Sequence, residues 1–283
     1  MADAPKAPGA LGDPQLAFVK ELVFKRSAIT LEGDKAYLVE ARLTPLARAA
    51  GLPSVNAFVD QLRSQPAHPM LQKVVEAMTT NETTFFRDVH PFDALRTEIL
   101  PTLRTARASS RALSIWSAAS STGQEAYSLA LLLADSFPDI AATWRVRILG
   151  TDLSTATVAR ATEGRYEQLE VNRGLPATML VKYFEREGTQ WRVKPALRAM
   201  TEFRMQNLAD PWPAMPQFDI IFLRNVLIYF NVETKRAIFG QIKRVLAPDG
   251  YLFLGGAETT LRVDDDFERV PCGKSAFYRV IKR

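Results

Sequence analysis

Ile115-Trp116-Ser117-Ala118-Ala119-Ser120-Ser121-Thr122-Gly123-Gln124-Glu125-Ala126 is the stretch that decides the fold. Residues 112–116 form a short apolar run. Small side chains follow from Ser117 to Gly123, and a helical pattern runs over 125–134. Strand, small-residue loop and helix in that order open a doubly wound α/β sheet, where ligands sit beyond the carboxyl ends of the strands. The small side chains let a ligand approach the backbone closely. Gly123 is the only glycine among them, so the loop is neither a phosphate loop nor a dinucleotide fingerprint. The competing reading is a plain strand-to-helix connection.

The pattern repeats downstream. Strands are expected over 145–149, 218–223, 251–254 and 276–281, and helices over 155–162 and 234–246, the latter ending at Pro248-Asp249-Gly250. The run Ile220-Ile221-Phe222-Leu223 reads as a parallel strand buried on both faces. Alternating strands and helices predict a mostly parallel sheet with helices on both sides. Residues 164–203 break the alternation with Gly174, Pro176, Gly188 and Pro195, which indicates a small insertion; Trp191-Arg192-Val193 is its candidate strand.

Upstream the reading is helical. Leu16, Val19, Leu22 and Val23 recur at helix spacing. A second helix is expected from Gly33-Asp34, with Tyr37, Leu38 and Leu43 on its apolar face, broken or kinked at Pro45 with Thr44 capping a new turn. Ser54 can cap a third helix, and 70–78 places Leu71, Val74, Val75 and Met78 on one face. The expected organisation is a disordered tail at 1–13, a helical domain at 14–80, a linker and helix at 81–100, and an α/β domain at 101–283 with its insertion at 164–203.

Composition narrows the function. The chain has 283 residues, 47% hydrophobic and 24% charged, with a net charge of +5. That mild excess is compatible with an acidic partner and does not demand nucleic acid. One cysteine, Cys272, and two histidines, His68 and His90, argue against a disulfide framework and a multi-histidine or thiol-rich metal centre. No apolar run reaches the length of a membrane span, and no secretory signal pattern opens the chain, so a cytoplasmic protein without membrane insertion is expected.

Three polar groupings carry candidate chemistry. Asp152 follows the second strand, where an acidic side chain can accept ribose hydroxyls; it could equally cap the next helix. Without a phosphate cradle, the pair of loop and acid favours an adenosyl ligand that lacks phosphates. Thr79-Thr80-Asn81-Glu82-Thr83-Thr84-Phe85-Phe86-Arg87 joins amide and hydroxyl groups to two aromatics and an arginine, and also reads as a capped linker. Arg224-Asn225-Val226-Leu227-Ile228-Tyr229-Phe230 leaves a buried strand at its carboxyl end, where a site or a turn would stand.

Taken together, Thr-Thr-Asn-x-Thr-x-Phe-Phe-Arg, Trp-Ser-Ala…Ser-Thr-Gly-x-Glu and Arg-Asn-Val-x-Ile-Tyr-Phe resemble the chemotaxis receptor glutamate methyltransferases, the CheR family. The resemblance covers most of the chain. It implies a Rossmann-like class I methyltransferase domain, an N-terminal all-α domain and a small antiparallel β-subdomain. It implies S-adenosyl-L-methionine as methyl donor, S-adenosyl-L-homocysteine as product, and glutamate side chains of methyl-accepting chemotaxis receptors as acceptors for a monomeric enzyme. Asn81, Thr83, Arg87, Ala118, Gln124, Asp152, Asn207, Leu208, Arg224 and Asn225 match cofactor-contacting positions. Arg87 and Tyr229 match positions beside the transferred methyl, and Arg42 a receptor-contacting position. Gln124 replaces a glutamate usual in the family, and Gly255-Gly256-Ala257-Glu258 lacks a usual histidine. The loop between Phe184 and Val193 is short, which implies an enzyme that needs no receptor C-terminal pentapeptide. A catalytically inactive binding module and a small-molecule methyltransferase are the competing readings.

Overall fold

In the computed structural model, residues 11–33 and 35–281 are described. Most of the expected tail, and Asp34 at the expected helix start, lie outside them. Leu11 is buried and the Gly12 N–H donates to Asn56 Oδ1 at 2.9 Å, so the end of that span is ordered. Of the described residues, those from Leu11 to Thr80 with Tyr229–Thr234 make one compact unit; Asn81–Ile228 and those from Lys235 to Ile281 make the other.

The first unit carries helices α1 (Asp13–Ser27), α2 (Ala36–Ala49), α3 (Val55–Arg63) and α4 (Met70–Met78). Val19, Val23, Val39, Leu43, Phe58 and Val75 meet in its core. Ser54 caps α3 as expected: its Oγ accepts the Ala57 N–H at 3.1 Å. Three expectations fail in α2. The helix runs unbroken through Pro45. Thr44 caps no new turn; its hydroxyl donates to the Glu40 carbonyl one turn back, at 2.7 Å. Pro45 faces solvent, where water can satisfy the carbonyl that the missing N–H leaves behind. Tyr37 is 74% exposed, because it sits about 200° around the helix from buried Val39. The segment Tyr229–Thr234 joins this unit through the Thr30 N–H, which donates to the Tyr229 carbonyl at 2.9 Å, and an Ile29–Phe230 bridge.

The second unit is built on strands β1 (Ala112–Ala118), β2 (Arg145–Asp152), β3 (Arg165–Glu167), β4 (Phe184–Glu187), β5 (Gln190–Val193), β6 (Thr201–Met205), β7 (Phe218–Leu223), β8 (Leu246–Leu254), β9 (Phe267–Cys272) and β10 (Ser275–Val280). Seven form one sheet in the order β6-β2-β1-β7-β8-β10-β9. β6, β2, β1, β7 and β8 are parallel, and β10 runs antiparallel to both neighbours. The order reverses between β1 and β7, which opens the ligand crevice at their carboxyl ends. Every residue of β7 is buried, as its continuous apolar run requires. β3, β5 and β4 make a separate antiparallel sheet.

Two boundaries differ from expectation. β6 pairs with β2, so residues 201–203 belong to the main sheet rather than to the insertion. A helical stretch crosses residue 101: α5 (His90–Ala94) passes through a π-helical turn, Leu95–Ile99, into α6 (Leu100–Ala106). Pro101 has no N–H to give the carbonyl four residues back, and the Leu100 N–H reaches Leu95 O instead. Further on come α7 (Gln124–Ser136), α8 (Pro138–Thr143) and α9 (Thr155–Glu163).

Candidate functional site

The loop from β1 to α7 turns tightly enough to put Ala119, Ser121 and Gly123 at positive φ. Its backbone is tied on both sides. The Ser120 N–H donates to Thr151 O and the Ser121 N–H to Asp152 Oδ2, both at 2.8 Å. Buried Tyr166, on β3, donates its hydroxyl to Thr122 O at 2.8 Å. Asp152 Oδ1 accepts from the Ser154 N–H and the Thr157 hydroxyl, each at 3.1 Å. The helix cap itself is Ser154, so the carboxylate of Asp152 braces the loop rather than capping α9 alone. Burial raises the Asp152 pKa from its ordinary value, against hydrogen bonds that pull it down.

Asn81 to Arg87 is more than a linker. Phe85 is fully buried, edge-on to Tyr166 at 5.0 Å and to Phe184 at 5.7 Å. The Phe86 N–H donates to Ser128 Oγ on α7 at 2.9 Å. Gly174 lies so close that a Cβ there would stand 2.0 Å from the Phe85 carbonyl oxygen. The Asn81 carbonyl accepts the Ser121 hydroxyl at 2.8 Å, which joins this segment to the β1–α7 loop. Arg87 curls back and donates to its neighbour Glu82 O at 2.9 Å.

Asn81, Thr83 and Gln124 come together on one cleft of about 400 Å³, with Thr122 and Thr157 beside them. Arg173 pairs with Glu82 and Arg160 with Glu170 on the same lining, so its charge is balanced. Gln124 is buried, and its Oε1 accepts the Thr122 hydroxyl at 2.8 Å. Asp152 reaches this cleft through Thr157 and Ser121. Ala118 ends β1; Asn207 and buried Leu208 follow β6, where Asn207 Oδ1 accepts the Ala209 N–H at 3.1 Å. Tyr229 belongs to the first unit and is half-buried.

Two further predicted residues are held by groups of the protein itself. The Arg224 side chain is 1% exposed and is clamped by protein groups: Nη1 on Glu125 at 2.9 Å, and Nη2 on Asp88 at 2.7 Å and on the Arg87 carbonyl at 2.9 Å. It ties the end of β7 to α7 and to the Asn81–Arg87 segment, and it is absent from the lining of the cleft. Arg42 caps α4: Nη1 donates to Met78 O at 2.7 Å and to Thr79 O at 3.0 Å, and Nη2 to the Thr80 hydroxyl at 3.1 Å.

Sequence reasoning assigned no role to Glu125, Tyr166 or Glu258. Glu125 accepts the Ser117 hydroxyl at 2.8 Å as well as Arg224. Glu258 is 9% exposed and accepts backbone N–H groups of Asn225, Val226, Leu227 and Gly255 at 2.7–2.9 Å. The signal available was an acid shortly after each of two small-residue runs: Glu125 two positions beyond Gly123, and Glu258 directly after Gly255-Gly256-Ala257.

Comparison with known proteins supplies the class. Residues 81–276 match the family described as "CheR methyltransferase, SAM binding domain", and residues 14–79 match "CheR methyltransferase, all-alpha domain". A Pseudomonas aeruginosa protein named chemotaxis protein methyltransferase 1 is 41% identical, over 90% of this chain and 93% of that one. Chemotaxis protein methyltransferase Cher2 of Pseudomonas putida is 38% identical over 90% and 94%. The Escherichia coli chemotaxis protein methyltransferase is 33% identical over 91% and 88%. The amides, hydroxyls and paired charges of the cleft lining fit S-adenosylmethionine, a polar ligand without phosphates. With a Rossmann-like class I methyltransferase domain that uses this cofactor and an all-α domain before it, the chain belongs to the CheR methyltransferase family.

Proposed function

We propose that this protein is a protein-glutamate O-methyltransferase acting on the cytoplasmic helical domain of methyl-accepting chemotaxis receptors. The observation that carries the reading is the meeting of Asn81, Thr83 and Gln124 on one cleft tied to Asp152, in a chain whose relatives are named for chemotaxis. No helix among the described residues is long and apolar enough to cross a membrane, in keeping with a cytoplasmic enzyme that meets receptors from that side.

Bound S-adenosylmethionine supplies an electrophilic methyl group on a cationic sulfur. The residues proposed to hold it are Asn81, Thr83, Gln124 and Asp152, completed by Ala118, Asn207, Leu208 and Asn225. Arg224 contributes as the clamp that fixes the surrounding segments. Arg87 and Tyr229 position the acceptor carboxylate. A glutamate side chain is ionised near neutral pH, so the chain needs no general base. Alignment is then the main task, and orientation supplies up to ~7–11 kcal/mol in favourable cases. Arg42 serves receptor contact by holding the end of α4 in place. The connection between β4 and β5 is a tight turn at Gly188-Thr189, which supports activity without a pentapeptide tether.

The test is transfer of labelled methyl from S-adenosylmethionine to chemoreceptor-containing membranes, followed by mild alkali. Volatile alkali-labile label is expected, as a carboxyl methyl ester gives. Cofactor binding with no label on any receptor of a panel would overturn the reading in favour of a binding module or another acceptor. Tyr229→Phe is expected to lower turnover; unchanged turnover would remove the hydroxyl from the reaction.

A further inference from the structure

The turn after β7 is held by a buried charge. Asn225 stands at φ 58°, a left-handed conformation uncommon for non-glycine residues and one that asparagine adopts more readily than most. From there Asn225, Val226 and Leu227 turn successive N–H groups toward one point, and the Glu258 carboxylate fills it. Oε2 accepts from Asn225 at 2.8 Å and from Gly255 at 2.7 Å; Oε1 accepts from Val226 at 2.9 Å and from Leu227 at 2.7 Å. Convergent backbone N–H groups of this kind make an anion-binding concavity. Here the anion belongs to the chain. Burying a carboxylate is costly unless hydrogen bonds satisfy it, and four donors do so. Gly255 makes the approach possible: a Cβ there would stand 2.6 Å from Glu258 Oε2 and 2.9 Å from both the Asn225 backbone nitrogen and its side-chain Nδ2.

We propose that Glu258 is a positioning residue for methyl transfer: through these four N–H groups it fixes Asn225 in the orientation that cofactor binding uses. This rests on the reading of Asn225 as a cofactor contact. The charge is essential to it. A carboxylate presents acceptors only, whereas a glutamine would turn two N–H donors toward backbone N–H groups. A group that merely supported the fold would, when changed, reduce the amount of active protein and leave the affinity of what remains untouched.

The experiment uses the full chain. Binding of S-adenosylhomocysteine is measured by calorimetry for wild type, Glu258→Gln and Gly255→Ala, with KM for S-adenosylmethionine, KM for receptor and kcat alongside. Expected is a weakening of S-adenosylhomocysteine by about tenfold in Glu258→Gln, the scale of one well-placed hydrogen bond, with a matching rise in KM for S-adenosylmethionine and an unchanged KM for receptor. Gly255→Ala keeps the charge and wedges the same contacts apart, so it is expected to shift the same two constants. It carries the test if Glu258→Gln does not fold. Wild-type affinity and KM in either folded variant would overturn the proposal. Wild-type protein that binds S-adenosylhomocysteine but labels no receptor would overturn the glutamate-ester reading instead, and the binding comparison would still decide the role of Glu258.

Discussion

Asp152 serves the fold, and in the proposed function it serves the ligand as well. Its oxygens already accept two backbone N–H groups and a hydroxyl, which leaves limited lone-pair capacity for a ribose. Because burial raises its pKa, the native state takes up a proton more readily than the unfolded chain does. The stabilising contribution of the protonated form is therefore complete below the ordinary carboxylate range and lost as pH rises through the raised value. Cofactor binding wants the opposite, the ionised acceptor. S-adenosylhomocysteine affinity is expected to decline, as pH falls from neutral, earlier than an ordinary carboxylate would allow. Asp152→Asn should bind weakly and without that pH dependence in calorimetry. The Arg224 clamp makes a stability prediction. Glu125→Gln leaves the guanidinium buried with Asp88 as its remaining carboxylate, and should cost roughly 2–4 kcal/mol in urea unfolding. The acid at 152 could be singled out in the sequence as a candidate because it stands at a strand end, where α/β sheets place ligands. The roles of Arg224 and Glu258 could not, since their partners lie on segments far away in the chain.

At the level of elements, what could be read depended on burial. β1, β2 and β7 lie inside the sheet and their apolar runs announce them. The two edge strands escaped detection for one physical reason. Thr201-Glu202-Phe203-Arg204-Met205 and Phe267-Glu268-Arg269-Val270-Pro271-Cys272 each have a neighbour on only one side, so charges, and in β9 a proline, are tolerated. The antiparallel sense of β10 has no local signature at all. Helix α2 overrode its own breaker: the packing of Val39, Leu43 and Ala47 keeps it continuous through Pro45. Proline inside a helix costs about 3 kcal/mol relative to alanine, and its stiffening of the unfolded chain returns up to ~1 kcal/mol. Pro45→Ala is therefore expected to stabilise the helical unit by about 2 kcal/mol, seen as a higher urea midpoint.

Across the whole molecule, the single thiol offers a reporter. Cys272 is 2% exposed on edge strand β9, and burial, with the Glu98 carboxylate adding, pushes its pKa up to about 11. Alkylation at mildly alkaline pH should be slow in the native protein and fast once the β9–β10 hairpin opens. Rapid native labelling would show that this edge opens on its own. The excursion of Tyr229–Thr234 into the helical unit sets a rule for exchanging parts. A cassette cut at Thr80 would carry α1–α4 but leave behind the strip that pairs with Ile29 and accepts the Thr30 N–H. Chimaeras between relatives should thus be built from two grafts, the leading segment and this six-residue return. Swapping the leading segment alone would join a helical unit to a strip selected for a different one.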